Sequence, residues 1–158
     1  MAGRVEYVAG DQGLIDRCGP LWDKLNVHHA ERSKHFAAAF ARRRWEDRRD
    51  GIFLTRLREG GRVRVDLAVR EGVDVGYCIT TISAAAVGEI ESIYVEEGLR
   101  GRGVGRALME KALAWLDAEG IRHKMLGVGA GNEEALPFYA RFGFVPSATV
   151  LRHKDSFG

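Results

Sequence analysis

Proline is scarce in this chain, three residues in 158, and cysteine scarcer still, with two. Cys18 and Cys78 form no CxxC pair and have no His neighbour at metal-ligand spacing. That pattern excludes a disulfide framework and gives no reason to expect a metal. Long apolar runs are missing too: the longest, such as residues 36–41, fall far short of the roughly 20 residues that cross a bilayer. Residues 1–10 carry neither the basic nor the apolar segment of a secretory signal, so a cytoplasmic location is expected. No GK[ST] tripeptide occurs, which excludes a P-loop.

Glycine, by contrast, is abundant, with 20 residues, several of them clustered between positions 98 and 131 where a linker would spread them. Clustered glycine marks a place where backbone approaches something closely. A hydrophobic share of 46% and a charged share of 29% fit one domain over residues 1–158. The net charge of +2 is unevenly placed: residues 31–64 hold eleven Lys/Arg against five Asp/Glu. Such asymmetry is a feature of chains that meet anionic partners.

Residues 4–8 alternate and predict a first strand. Helical spacing follows over 14–28, with Pro20 starting a turn, and over 31–49, where Phe36, Phe40 and Trp45 form an apolar stripe. Residues 63–69 and 75–82 read as a hairpin with its turn at Glu71-Gly72, and 89–95 as the next strand. A helix over 103–119 closes at Gly120, a strand covers 125–129, a short helix capped by Asn132 runs to 142, and residues 144–152 supply a last strand.

The segment Arg100-Gly-Arg-Gly-Val-Gly-Arg106 joins a strand to a helix, so successive N–H groups at the helix start point at one spot suited to phosphate. A dinucleotide fingerprint would need a third glycine where Arg106 stands, and the preceding strands read as antiparallel. The pattern Arg100-x-x-Gly103-x-Gly105, with Asn132 and then Phe138-Tyr139-Ala-Arg-Phe-Gly143-Phe144, resembles the GNAT superfamily of N-acetyltransferases. The resemblance covers residues 73–146 closely, and residues 1–60 only in element order. It implies an α/β fold of the α+β kind: a mixed, mostly antiparallel central sheet of about six or seven strands, a V-shaped splay between strands 4 and 5, and about four flanking helices.

Acyl transfer from a thioester to an amine needs a neutral amine, a hydrogen-bond donor for the oxyanion and a proton for the leaving thiolate. The resemblance implies acetyl-CoA as cosubstrate, with the backbone of Ile93 and Val95 on its pantetheine arm, next to Tyr94. The N–H groups of Val95, Arg102, Gly103, Val104, Gly105 and Arg106, in the loop that includes Gly101, would hold carbonyl or pyrophosphate. Arg100, Arg102 and Arg106 would add charge, since a guanidinium forks well onto phosphate oxygens. Tyr139, two helical turns after Asn132, is the implied general acid, with Asn132 as a cofactor contact. Alternation places Glu89, Glu91, Ile93 and Val95 on one face of their strand, which makes Glu89 or Glu91 the candidate base. His28 and His29 end the first helix, where the family puts acceptor contacts.

Two other functions fit parts of the pattern. The run Arg42-Arg43-Arg44-Trp-Glu-Asp-Arg48-Arg49 has the basic and aromatic make-up of a nucleic-acid surface, diluted by Glu46, Asp47 and Asp50. A catalytically silent acyl-CoA sensor would share the glycine loop. The acceptor is expected to be a small-molecule or peptide amine, with no membrane partner, and family members often form homodimers.

Overall fold

The computed structural model describes residues 3–52 and 56–156, so the expected domain bounds of 1–158 run past the described residues at both ends. Strands β1 (Val5–Gly10), β2 (Arg62–Arg70), β3 (Val73–Ile82) and β4 (Val87–Val95) pair antiparallel in chain order. A fifth strand, β5 (His123–Leu126), joins β4 in parallel, giving the sheet order β1-β2-β3-β4-β5. Helices α1 (Gly19–Arg32), α2 (Ala37–Arg42) and α3 (Trp45–Ile52) precede β2 in the chain; α4 (Val104–Ala118) connects β4 to β5, and the short α5 (Leu136–Ala140) follows.

The sheet is covered on both sides, and the covering explains the sequence of β3, which is buried from Val75 to Ile82. One face packs Tyr77, Ile79, Val65, Leu67 and Tyr94 against Ile15, Leu21, Trp22, Trp45 and Ile52 of the N-terminal helical layer. The other packs Ala68, Cys78, Ile90 and Val95 against Val104, Leu108, Met109 and Ala112 of α4. Trp22 and Trp45 meet at 5.8 Å between ring centroids, and buried Asn26 donates from Nδ2 to the Phe40 carbonyl at 2.6 Å, tying α1 to α2.

The β2–β3 hairpin has the expected turn, with Glu71 and Gly72 both left-handed at φ 52° and 77°. A two-residue turn of this kind matches the right-handed strand twist. The single helix expected over 31–49 is two short helices instead. α1 runs on to Arg32, where Ser33 leaves helical geometry and its Oγ accepts from the Phe36 N–H at 3.0 Å. Extended backbone at Arg43 (ψ 135°) then separates α2 from α3. Such serine side-chain bonds offer the backbone an alternative to continuing a helix.

The expected last strand over 144–152 is not formed: these residues pair with no strand, and Val145, Val150 and Leu151 stay exposed. Alternation there is weak, and Pro146 lacks a ladder donor. The sheet therefore has five strands among the described residues, fewer than expected, while the mixed α/β class holds. β5 begins two residues earlier than expected and ends at Leu126, leaving Gly127 and Gly129 beyond it.

The C-terminal end of α1 touches the loop after β5. A Cβ on Gly131 would stand 2.0 Å from the Arg32 carbonyl oxygen, and its φ is +96°. Gly131→Ala should therefore cost roughly 2 kcal/mol or more, through backbone strain and the displaced contact. Thermal unfolding should register that as a midpoint lower by several degrees; an unchanged midpoint would show that the contact contributes nothing.

Candidate active site

The site begins at an irregularity in β4. Ile79 opposes Ser92 but Thr80 opposes Ile90, so Glu91 is an extra residue with no partner on β3. On the other edge, the parallel pairing with β5 stops at Ile90 opposite Leu126. From Glu91 to Val95, β4 thus has β3 on one side and no strand on the other. Here, where the β4–β5 pairing ends, the resemblance implies a splay between strands 4 and 5.

The bulge also overturns the expected alternation. Glu89 lies opposite Thr81, and Thr81 Oγ1 donates to Glu91 Oε1 at 2.7 Å, so both carboxylates lie on the α1/α3 face. Ile93 and Val95 pack in the α4-side cluster, while Tyr94 packs in the other. One extra residue inverts the period-two pattern. The two carboxylates and the Ile93/Val95 pair are therefore on opposite faces of the strand, not on one.

Two arginines that the sequence did not single out hold the carboxylates. Arg48 on α3 donates from Nη2 to the Glu91 carbonyl at 2.8 Å and to its Oε2 at 3.1 Å. Arg56 donates from Nε to Glu91 Oε1 at 3.0 Å and from Nη2 to Glu89 Oε2. The Glu91 side chain is only 6% exposed. Its burial would raise its pKa, but hydrogen bonds from Thr81 and Arg56 and the charge of Arg48 bring it below the ordinary value. Glu89 goes the other way: burial, and then the negative charge of Glu91, raise it in spite of Arg56. Two neighbouring carboxylates pushed apart in this manner suit different tasks, one a fixed anion and the other a proton acceptor. Beneath them, the buried Tyr77 hydroxyl lies 2.7 Å from Ser92 Oγ.

The glycine loop leads from the other end of β4 into α4. Gly101 and Gly103 have φ of 73° and 82°, a conformation that disfavours a side chain, and Gly103 is the residue before the first helical turn. The first helical hydrogen bond runs from Ala107 N to Gly103 O at 3.0 Å, so the N–H groups of Val104, Gly105 and Arg106 precede any intrahelical acceptor. Three such donors on a 15-residue helix form an anion cradle, and a phosphate group fits it. Gly105 faces Phe138, whose ring carbon lies 3.5 Å from where a Cβ would stand. Arg102 is exposed, and Arg106 pairs with Glu110 at 2.7 Å. Arg100 turns back onto the sheet, donating from Nε to the Val95 carbonyl at 3.0 Å with its guanidinium 5.3 Å from the Tyr94 ring centroid. An opening of about 320 Å³ lies outside the loop, lined by Arg106, Glu110, Phe138, Arg141 and Phe142.

Tyr139 packs half-buried on the α4 side with Phe138, Phe142 and Phe144. Burial pushes its phenol up to about 12, so it keeps its proton at neutral pH. Among the described residues its hydroxyl has no hydrogen-bond partner. Asn132 does not cap the following turn with its side chain, contrary to expectation. Its Oδ1 lies 3.4 Å from His28 Nε2, and Arg32 bridges His28 and Glu134, so α1 and the α5 loop share one polar seam. His29 lies beside Phe40 and stays neutral, held down to about 4 by burial and by the charges of His28, Arg43 and Arg32.

The basic run does not form a free cationic stripe. Arg44 pairs with Glu46, Arg49 with Asp16 and Asp50, and Arg48 with Glu91. Among the described residues, no group of three or more His, Cys, Asp and Glu side chains is placed to hold a metal ion, and no helix is long and apolar enough to cross a membrane.

The Acetyltransferase (GNAT) family pattern matches residues 24–144, and the chain belongs to that family, whose cosubstrate is acetyl-CoA. An uncharacterised N-acetyltransferase of Methanocaldococcus jannaschii is 42% identical over 72 residues, covering 46% of this chain and 32% of that protein. Mycothiol acetyltransferase of Streptomyces avermitilis is 36% identical over 89 residues, 56% of this chain and 29% of that protein. The matches thus span about a third of the curated relatives' length. Among solved structures, the aminoglycoside N-acetyltransferase AAC(6')-Iy, bound to a CoA-containing bisubstrate analogue, superposes with a TM-score of 0.64 at 17% identity, covering 95% of this chain and 97% of that one.

The contrast between the two carboxylates is measurable. Glu91→Gln leaves Arg48 and Arg56 short of a buried anion and should destabilise by about 3 kcal/mol, against less than about 1 for Glu89→Gln. Because the Glu91 pKa is lowered on folding, its stabilisation is present above its unfolded value and fades as pH falls through the folded one. Denaturant titrations at pH 7 and pH 3 should therefore show the Glu91→Gln deficit shrinking in acid; an equal deficit at both would contradict the charge assignment.

Proposed function

We propose that this chain is a single N-acetyltransferase domain that transfers the acetyl group of acetyl-CoA to a primary amine, by direct attack with both substrates bound. The observation that carries the reading is the opening at Glu91, with Tyr139 on one face of the sheet and Glu89 on the other. The cosubstrate would lie on the α4 side and the amine would enter from the α1/α3 side, meeting where β4 has no parallel partner.

The roles follow from what each group offers. Acetyl-CoA supplies an activated thioester, and the free edge of β4 at Ile93 and Val95 offers backbone groups to its pantetheine arm. The N–H groups of residues 102–106 hold the pyrophosphate, with Arg102 and Arg106 adding charge. Arg100 serves by fixing the Val95 carbonyl and the Tyr94 ring, which sets the end of β4. The Val95 N–H polarises the acyl oxygen. Glu89, with its raised pKa, accepts the proton that the amine must lose, directly or through a water, while Glu91 stays ionised and locked to Arg48 and Arg56. Tyr139 donates the proton of its unpartnered hydroxyl to the departing sulfur. Asn132 lines the same approach, beside His28.

Acetyl-CoA or CoA at 100 times its dissociation constant should stabilise the protein by about 2.7 kcal/mol, a midpoint rise of several degrees that NAD and ATP do not match. Tyr139→Phe should keep that rise but lower kcat, followed by thiol release, by roughly 100-fold. A rise with NAD or ATP alone would remove the proposal. Full activity in Tyr139→Phe would remove the acid role.

A further inference from the structure

Beyond the carboxylates, one arginine just before α3 stands apart from the ion pairs described above. Arg48 and Arg56 are matched by Glu91 and Glu89. Arg43, in the turn between α2 and α3, has no carboxylate partner among the described residues. Its guanidinium lies over the Phe40 ring, 4.5 Å from the centroid, and Phe40 in turn packs against His29 at 5.6 Å. A planar cation stacked on an aromatic ring keeps its donors at the rim free for a planar anion.

The surroundings are positive as well. Arg43 is exposed; desolvation by the groups packed near it, and then the charges of Arg48 and Arg152, lower its pKa, and Arg43 contributes to keeping His29 neutral. Arg43 leads directly into α3, the helix whose Arg48 bonds to the Glu91 carbonyl and carboxylate.

We propose that Arg43, held over Phe40 two residues before the helix that carries Arg48 to the bulge at Glu91, binds an anionic group of the acceptor, so that the amine acetylated here belongs to a molecule bearing a carboxylate or phosphate. The inference rests on the transferase reading above and names the acceptor class within it. It also sets this site apart from one built for a polycation, since a second or third ammonium would meet the Arg43 guanidinium.

The test is a panel of amines in matched pairs, read by thiol release from acetyl-CoA: L-alanine and L-alaninamide, L-phenylalanine and its amide, O-phosphoethanolamine and ethanolamine, with kanamycin as a polycation. An α-amino amide is less basic than the amino acid, so intrinsic reactivity at pH 7 favours the neutral member, and a preference for the anion must come from binding. The expected result is a kcat/KM at least about tenfold higher for the anionic members, with the carboxylate and phosphate pairs showing which anion is preferred. Arg43→Gln should close that gap while leaving the midpoint rise with acetyl-CoA intact. A second measurement needs no acceptor: with CoA saturating, about 20 mM inorganic phosphate should raise the midpoint of the wild type above that in sodium chloride of equal ionic strength, and should not do so in Arg43→Gln. Preference for the neutral amines or kanamycin, or a phosphate effect absent from the wild type, overturns the inference. The transferase reading survives either result as long as acetyl-CoA still raises the midpoint.

Discussion

The site depends on one extra residue. Glu91 has no opposite number on β3, and at the same position β5 ceases to pair with β4. A bulge leaves a backbone carbonyl without its ladder partner, and a buried carbonyl of that kind must be satisfied. Arg48 satisfies it at 2.8 Å and binds the same residue's carboxylate, while Thr81 and Arg56 complete the side chain. The irregular strand is thus anchored from the α3 side and from the segment before β2. Removing any one anchor would leave charge or a carbonyl stranded in a place with little water, which is why the arrangement is fixed and not one of several.

The same irregularity divides the labour of the two faces. Without the bulge, Glu89, Glu91, Ile93 and Val95 would share a side, and acid and base would crowd together. With it, the α4 face keeps an apolar lining, Tyr139 and the helix N-terminus, while the α1/α3 face receives the carboxylates and the two arginines that bond to them. The α4 face thereby offers an anion backbone donors and a neutral phenol, while the opposite side keeps a carboxylate whose environment raises its pKa. Glu91 being ionised is part of what raises it, so the two acids work as a pair.

Much of this was legible beforehand. The Glu71-Gly72 turn, the α4 helix with its glycine lead-in and the strand at 89–95 each carry a local signal that tertiary contacts do not override. The faces of β4 were not legible, because a bulge has no marker in the sequence of its own strand and a single residue reverses the pattern. Arg48 and Arg56 were missed for a related reason: Arg48 lies in the basic run of residues 42–49 and Arg56 seven residues beyond it, and only the fold brings them to Glu91. Asn132 was placed correctly in the chain and wrongly in its bond, since His28 competes for its side chain. The strand expected over 144–152 failed because its apolar residues had no sheet edge that the chain turned to meet.

The central claim is that the cosubstrate occupies the gap beside residues 91–95 and the start of α4. Amide hydrogen exchange of the protein with and without CoA tests it most directly. The structure predicts added protection concentrated at Ile93, Val95 and residues 102–106, with β1 and β2 unchanged. Protection confined to the α2–α3 region, or spread evenly over the sheet, would contradict the claim.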